Sequence, residues 1–363
     1  MSINNVRLRL HPDRASEHAD IKATLKRACR TDDEGLYELV RLMSGLSLAD
    51  IGINVSLSHL SAMYTLSLWA RHHGLTPCEL RQLLQILGAP HPMHSLGNSV
   101  WQQLLTDVRS TTDWLRERGW TVHDLQLMTR SVGAIPVSTE IGNLLNELKT
   151  TVSAAQLPNP VAKQALLGVL SPLIASTFNL SSDALAQALL NWADRAKPGG
   201  LTLQQACERL RMASPSAPYQ RALVDFAYAL AQMALIAHAC AVTGDTLQLL
   251  VEKPQLLSPT AGASGSVGLA RDVQAIMALD NFSDWLRKLP DQPGAGGALL
   301  GALKEGKGVS LVQLSMTTGI AHAVLAQAAA HAHGRFRRAG PHTPDAQPTV
   351  LPNRHRGGRR QHL

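Results

Sequence analysis

Aromatic side chains are scarce in this sequence: phenylalanine, tyrosine and tryptophan together make up 4% of 363 residues. A core without them must be filled by aliphatic side chains, and at 45% hydrophobic residues the available leucine, alanine, valine and isoleucine favour helices. Charged residues are also sparse, at 17%. Four cysteines, Cys29, Cys78, Cys207 and Cys240, are scattered without a CxxC pair, which argues against a disulfide framework and leaves them as reduced, mostly buried thiols. The N-terminal stretch has no apolar core of the kind a secretory signal needs, so no Sec-type export is expected. Nowhere does a run alternate apolar and polar residues between turn signals, so the main sign of β-strands is missing.

The formal charge of +7 would ordinarily raise nucleic acid as a partner, but its location argues otherwise. Between Gly334 and Leu363 lie seven arginines against the single acid Asp345, which leaves the remaining residues with a net charge of only +1. The basic character belongs to a short tail, from which weak, nonspecific polyanion binding is expected. Leu223 to Val242 is apolar enough to be weighed as a membrane span. Asp225, Gln232 and His238 interrupt it, and a helix enclosed by other helices is the better expectation.

What the sequence does have is 3.6-residue periodicity. Ile141, Leu144, Leu145, Leu148 and Val152 fall on one face of a helix. A junction also recurs. Trp69 leads through basic residues to Gly74, Leu75, Thr76 and Glu79; Trp114 leads likewise to Gly119, Trp120, Thr121 and Asp124. In each, glycine suits the left-handed residue that ends one helix, and threonine N-caps the next with an acid three residues on. The second half of this pattern returns at Ser181, Thr202 and Ser310. These caps are 45, 60, 21 and 108 residues apart in order, so no strict solenoid period exists. The expected fold is all-α: an irregular array of antiparallel helix hairpins with a disordered basic C-terminal tail.

Composition divides the chain into a helical segment at 1–44, a hairpin block at 45–135, a helical block at 136–257, a loop at 258–268, a further helical block at 269–333 and the Arg-rich tail at 334–363. Within the last helical block, 289–297 reads as a Pro- and Gly-rich loop. Trp69, Trp114, Trp192 and Trp285, all near helix ends, are expected to anchor the core.

Several segments in order resemble the α-helical shell region of the A subunits of bacterial Tc toxin complexes, a family that also carries the label of Salmonella virulence plasmid A proteins. They are Leu57 to Trp69 with the following Gly74-Leu75-Thr76 and Glu79-Leu80, Thr112 to Met128, Ser138 to Leu145, Leu173 to Asp194, Ala229 to Pro254, and Leu279 to Leu286. The stretch from Leu173 to Asp194 is the most specific. The resemblance runs from about Glu38 to about Ala330. It implies a non-enzymatic structural role within a pentameric, bell-shaped complex whose helical shell surrounds a translocation channel. Implied partners are the other parts of such an A subunit and further copies of the chain, with no small-molecule substrate. Family A subunits are several times longer, and their channel, receptor-binding β-domains and partner-docking end have no counterpart here. The resemblance therefore implies a piece that is inactive alone, made in the bacterial cytoplasm and released as part of a complex.

Candidate chemistry is thin. Gly301 to Gly308, with Lys307, approaches a phosphate-binding P-loop but has Gly308 where serine or threonine should reach magnesium, and no strand precedes it. A Gly-rich interhelical loop is the better expectation. His72, His73, Cys78, His91, His94, His238 and Cys240 form no metal-ligand spacing. Gly262 to Ser266 lacks the final glycine of a nucleophile elbow. No catalytic, metal or cofactor residues are assigned. Two other classes stay open. Ser310 to Leu325 has the look of a helix-turn-helix, although its second helix offers Gln327 alone as a base reader. A generic helical scaffold or interaction protein is the other.

Overall fold

The computed structural model describes residues 7–9, 18–44, 52–54, 56–89, 98–129, 137–155, 162–213, 218–257, 269, 271–288, 295–305 and 310–327. The expected 258–268 loop and the 334–363 tail lie outside the described residues. The chain separates into two compact units, 1–287 and 288–363.

The first unit holds helices α1 (Ala19–Cys29), α2 (Asp33–Ser44), α3 (Leu57–His72), α4 (Pro77–Ile86), α5 (Asn98–Arg118), α6 (Val122–Thr129), α7 (Thr139–Ala154), α8 (Lys163–Thr177), α9 (Asp183–Ala196), α10 (Leu203–Met212), α11 (Arg221–Ala239), α12 (Gly244–Glu252) and α13 (Val273–Arg287). Consecutive helices pack on one another from α1 to α4 and from α7 to α9. The most extensive contact is between α9 and α12. A small antiparallel ribbon, β1 (Arg7–Arg9) with β2 (Gly52–Asn54), sets Leu8 opposite Ile53. Strands of three residues are too short to carry a periodic signal, which is why helix alone was expected in this part of the chain.

The composition decides the core. Among the described residues its buried aromatics are Trp69, Trp114, Trp192 and Phe226, and leucine fills most of the rest. α7 shows how: Ile141, Leu144, Leu145, Leu148 and Val152 are all buried, so the periodic stripe is the packed face. α11 is, among the described residues, the one helix long and apolar enough to cross a membrane. It packs on α6, α7, α9 and α10, and its buried residues, from Leu223 to Ala237, form the centre of the unit.

The second unit contains α14 (Ala295–Glu305) and α15 (Leu311–Thr318), which pack on each other, and a helical turn at 322–327. α14 corrects the loop expected over 289–297, since it begins at Ala295. Gly296 and Gly297 fall in its first turn, where the backbone N–H groups have no intrahelical partner in any helix, so they weaken it less than at its centre.

Candidate functional site: capped junctions and buried anchors

The junctions have a common geometry. At the end of α3, Gly74 is left-handed (φ 69°), and the Leu75 N–H donates to the Ala70 carbonyl at 2.9 Å, closing a Schellman motif. Thr76 then caps α4: its Oγ1 accepts from the Glu79 N–H, and Glu79 Oε2 accepts from the Thr76 N–H at 2.8 Å, completing a capping box with Pro77 in the first turn. The α5–α6 junction repeats it. Gly119 has φ 67°, the Trp120 N–H reaches Leu115 at 2.9 Å, and Asp124 takes the Thr121 N–H at 2.8 Å. The Thr121 N–H and hydroxyl, each donating at 2.8 Å, hold the Asp124 carboxyl below the usual aspartate range. Thr202 with Gln205 caps α10, and Ser310 with Gln313 caps α15.

Ser181 is a correction. The cap of α9 is Ser182, which accepts from the Leu185 N–H at 3.2 Å. Here Asn179 supplies the left-handed residue (φ 50°), and the cap follows it by three residues, against two at Gly74 and Gly119. The same device also occurs where no glycine announces it. Arg30 (φ 49°) precedes Asp32, whose carboxylate accepts from the Gly35 N–H at 2.7 Å, and Ala241 (φ 47°) precedes Thr243, the cap of α12. Thr31 and Val242 close the two Schellman bonds.

Trp69, Trp114 and Trp192 are buried; Trp285 is not, and corrects the fourth anchor. The buried side of α13 is made by Val273, Ile276, Leu279, Asp280 and Ser283, and Trp285 lies two residues past it, half-buried against Phe282 with ring centres 5.9 Å apart. Two of the buried indoles are tied down by hydrogen bonds. Trp192 Nε1 donates to the Leu269 carbonyl at 2.8 Å. Trp114 Nε1 donates at 2.8 Å to Asp280, a fully buried carboxylate that also pairs with Arg118 Nε at 2.7 Å. Burial disfavours the Arg118 charge, but Asp280 and Asp284 outweigh it and hold the guanidinium above its usual value.

α9 collects several further long-range polar ties. Asn191 donates to Gln248 at 2.9 Å, and Arg195 donates to the Val251 and Glu252 carbonyls at the end of α12, where a cation suits the helix dipole. Asp194 accepts from the Leu203 N–H at 2.9 Å and pairs with Lys163 at 2.7 Å. The segment that most specifically resembles the toxin family is thus the one joining α8, α10 and α12.

The arrangement suits packing better than chemistry. Among the described residues, no three His, Cys, Asp or Glu side chains converge on a metal position. His72 and His73 meet edge to face, and His73 is buried with Nδ1 3.1 Å from Thr112 Oγ1; burial, then His72, lowers its pKa. His91 and His94 lie outside the described residues, as do Lys307 and Gly262 to Ser266. Gly301 to Glu305 belong to α14, so this part of the expected Gly-rich loop is helix. Around the helix–turn–helix-like segment, Gly319 is left-handed (φ 67°), and Val312, Met316 and Val324 are exposed.

Fold and site define an all-α array of capped, closely packed helices with polar ties at its hub. That fold is shared with two large bacterial proteins. In the cryo-EM structure of Morganella morganii TcdA4 it recurs with a TM-score of 0.69 at 23% identity, over 85% of this chain and 12% of that one. In the cryo-EM structure of Yersinia pseudotuberculosis TcaA-TcaB the TM-score is 0.56 at 15% identity, over 94% of this chain and 18% of that one. The fold implied by the resemblance to Tc toxin A subunits is therefore the fold observed, and the chain spans less than a fifth of either structure. No family model and no curated protein matches the sequence.

Proposed function

We propose that this chain is a structural segment of a Tc-type toxin A assembly: part of a helical shell that works by packing against other segments and further copies, without catalysis. The observation that carries it is the fold match to TcdA4 over 85% of the chain, a share of only 12% of the larger protein. Ties at the α9 hub and the Asp280 clamp support the same role, because they fix helices relative to one another. In this role the chain is made in the cytoplasm, is released with its complex, and joins a pentamer only alongside the rest of an A subunit. The arginine-rich tail adds weak, salt-sensitive attraction to polyanions.

The test is to tag the chain in the bacterium that makes it and isolate it by its tag. It should elute in an assembly much larger than 39.1 kDa whose other polypeptides carry further A-subunit segments. The purified chain alone should release no dye from liposomes and turn over no substrate. A free monomer in its own cell, or channel rings formed by the purified chain, would overturn the proposal.

A further inference from the structure

Among the described residues, five arginines are half-buried: Arg41, Arg71, Arg81, Arg118 and Arg271. Taking a cation out of water is costly unless an opposite charge or a helix C-terminus compensates it, and four of the five are compensated. Arg41 and Arg81 share Glu38, and Arg118 pairs with Asp280 and Asp284. Arg71 stands in the last turn of α3, where its Nε donates to the Ser67 carbonyl. Arg271 has no acid. Its Nη1 donates at 2.7 Å to the neutral amide oxygen of Gln232 on α11, and it makes no ion pair among the described residues. It also stands just ahead of α13, at the end of a helix where the dipole disfavours a cation. Burial pulls its pKa below the usual arginine value, and no neighbouring carboxylate offsets this.

The place of this arginine is fixed, and its donors are open. Two residues earlier, the Leu269 carbonyl accepts from Trp192 Nε1, and one residue later Asp272 caps α13 by accepting from the Ala275 N–H at 2.8 Å. The Nε and Nη2 of Arg271 make no hydrogen bond and are not among the side-chain nitrogens sealed from solvent, so an incoming acceptor can reach them. Beside them, Gln232 Nε2 donates to the Leu127 carbonyl at 3.1 Å, and Leu235 follows Gln232 by three residues on the same side of α11. Leu127 and Leu235 are 43% and 39% exposed. Acids on the three elements are engaged elsewhere: Asp124 with Thr121, Asp225 with Arg221, and Asp272 with the Ala275 N–H. A cation with donors to spare thus adjoins exposed leucines of α6 and α11.

We propose that this surface of α6, α11 and the start of α13 binds a segment of a partner polypeptide that presents an aspartate or glutamate beside aliphatic side chains. The carboxylate accepts from Arg271 Nε and Nη2, the edge on which a guanidinium offers two parallel N–H groups to two oxygens. The aliphatic neighbours cover Leu127 and Leu235. Exposed leucines on two helices make a broad face rather than an enclosed pocket, which suits a polypeptide better than a small carboxylate. This goes beyond the assembly role above by naming a surface and the charge of its partner. It stands on that surface alone, so a chain found as a free monomer in its own cell would sink the assembly role and leave it untouched.

A displayed library of random peptides tests it, selected against the full chain and counter-selected against Arg271→Gln. Enriched peptides should share an aspartate or glutamate next to leucine-like residues. Changing that acid to its amide should weaken binding to the native chain by about tenfold, yet leave binding to Arg271→Gln unchanged. On binding, the Arg271 Nε–H resonance, identified by its loss in Arg271→Gln, should shift. Leu127→Ala/Leu235→Ala changes two exposed positions, so it should keep the fold and the preference for an acid while binding more weakly. Arg271→Gln should melt no lower than the native chain, because no ion pair is lost; a marked fall would show the arginine engaged within the chain and count against the proposal. No enrichment, enrichment without an acid, or an acid-to-amide change that weakens binding to both chains alike would overturn it. So would octanoate binding as tightly as the peptides, which would make the ligand a small carboxylate, or a dimer of the chain alone that Arg271→Gln dissolves.

Discussion

Replacing Asp280 by alanine should be among the most damaging single changes in the first unit. The carboxylate is 1% exposed and serves Trp114 Nε1 at 2.8 Å and Arg118 Nε at 2.7 Å. Removing one partner of a buried ion pair costs about 3–5 kcal/mol, chiefly through the charge left behind. Arg118 is about a quarter exposed and keeps Asp284 at 3.5 Å, which places its share toward the low end or below. The orphaned Trp114 N–H adds about 1–3 kcal/mol. A loss of about 3–4 kcal/mol is expected, and at about 2–4 °C per kcal/mol for a unit of this size the melting temperature should fall by about 10 °C. Asp280→Asn keeps an acceptor for the indole while dropping the charge, so it should cost only about 1–2 kcal/mol. Adding Arg118→Met to Asp280→Ala should recover part of the loss, because no uncompensated charge then stays behind. Circular dichroism melts and urea titrations of the three variants decide it. Equal losses for Asn and Ala, or a loss below 1 kcal/mol for Ala, would refute the clamp.

Other expectations concern junctions and thiols. Ser182→Ala should cost about 1 kcal/mol and Ser181→Ala close to nothing, as should be visible in urea midpoints; the reverse order would return the cap to Ser181. Ala241→Gly should stabilise by about 0.5–1 kcal/mol, since relief of a left-handed alanine exceeds glycine's extra chain entropy; a lower melting temperature would count against that conformation. The Cys207 and Cys240 thiols are pushed up to about 12, mainly by burial, with Glu208 and Asp280 respectively adding to it. The unfolded chain releases these protons near 9.0 while the native state holds them. Stability present below that pH is therefore lost as pH rises from about 9 toward 12, by up to about 1.4 kcal/mol per pH unit for each thiol. Cys207→Ala should show a shallower decline than the native chain between pH 9 and 10.5, and parallel slopes would refute the burial effect.

Junction chemistry was legible wherever glycine stood before a Thr cap, because only there do residue type and conformation coincide. At Arg30 and Ala241 the left-handed turn falls on residue types with no preference for it, and local sequence carries little trace of it. Asn179 also shows why Ser181 was misplaced: two serines in succession are equally good caps, and the choice depends on where the preceding helix closes. The helical stripe of α7 was readable because its apolar residues all face inward. Asp280 was not readable at all. An acid on a helix looks the same in sequence whether it meets water or Arg118, and its partners lie on α5, more than 160 residues away. The partners of the Trp114 and Trp192 indoles are hidden for a similar reason, since Asp280 and the Leu269 carbonyl reach them only through the fold.

The placement of α11 also bears on the order in which the chain is made. A stretch this apolar, emerging alone from the ribosome, would be open to membrane targeting and to aggregation. The helices that make its main contacts, α6, α7, α9 and α10, all come earlier in the sequence, and Arg271 later adds a hydrogen bond to Gln232 at 2.7 Å. At about 5–20 residues per second they leave the exit tunnel seconds before α11 does, while helices form in about a microsecond. The receptacle is thus synthesised before its contents, so α11 can dock as it appears, without waiting for the C-terminal third of the chain.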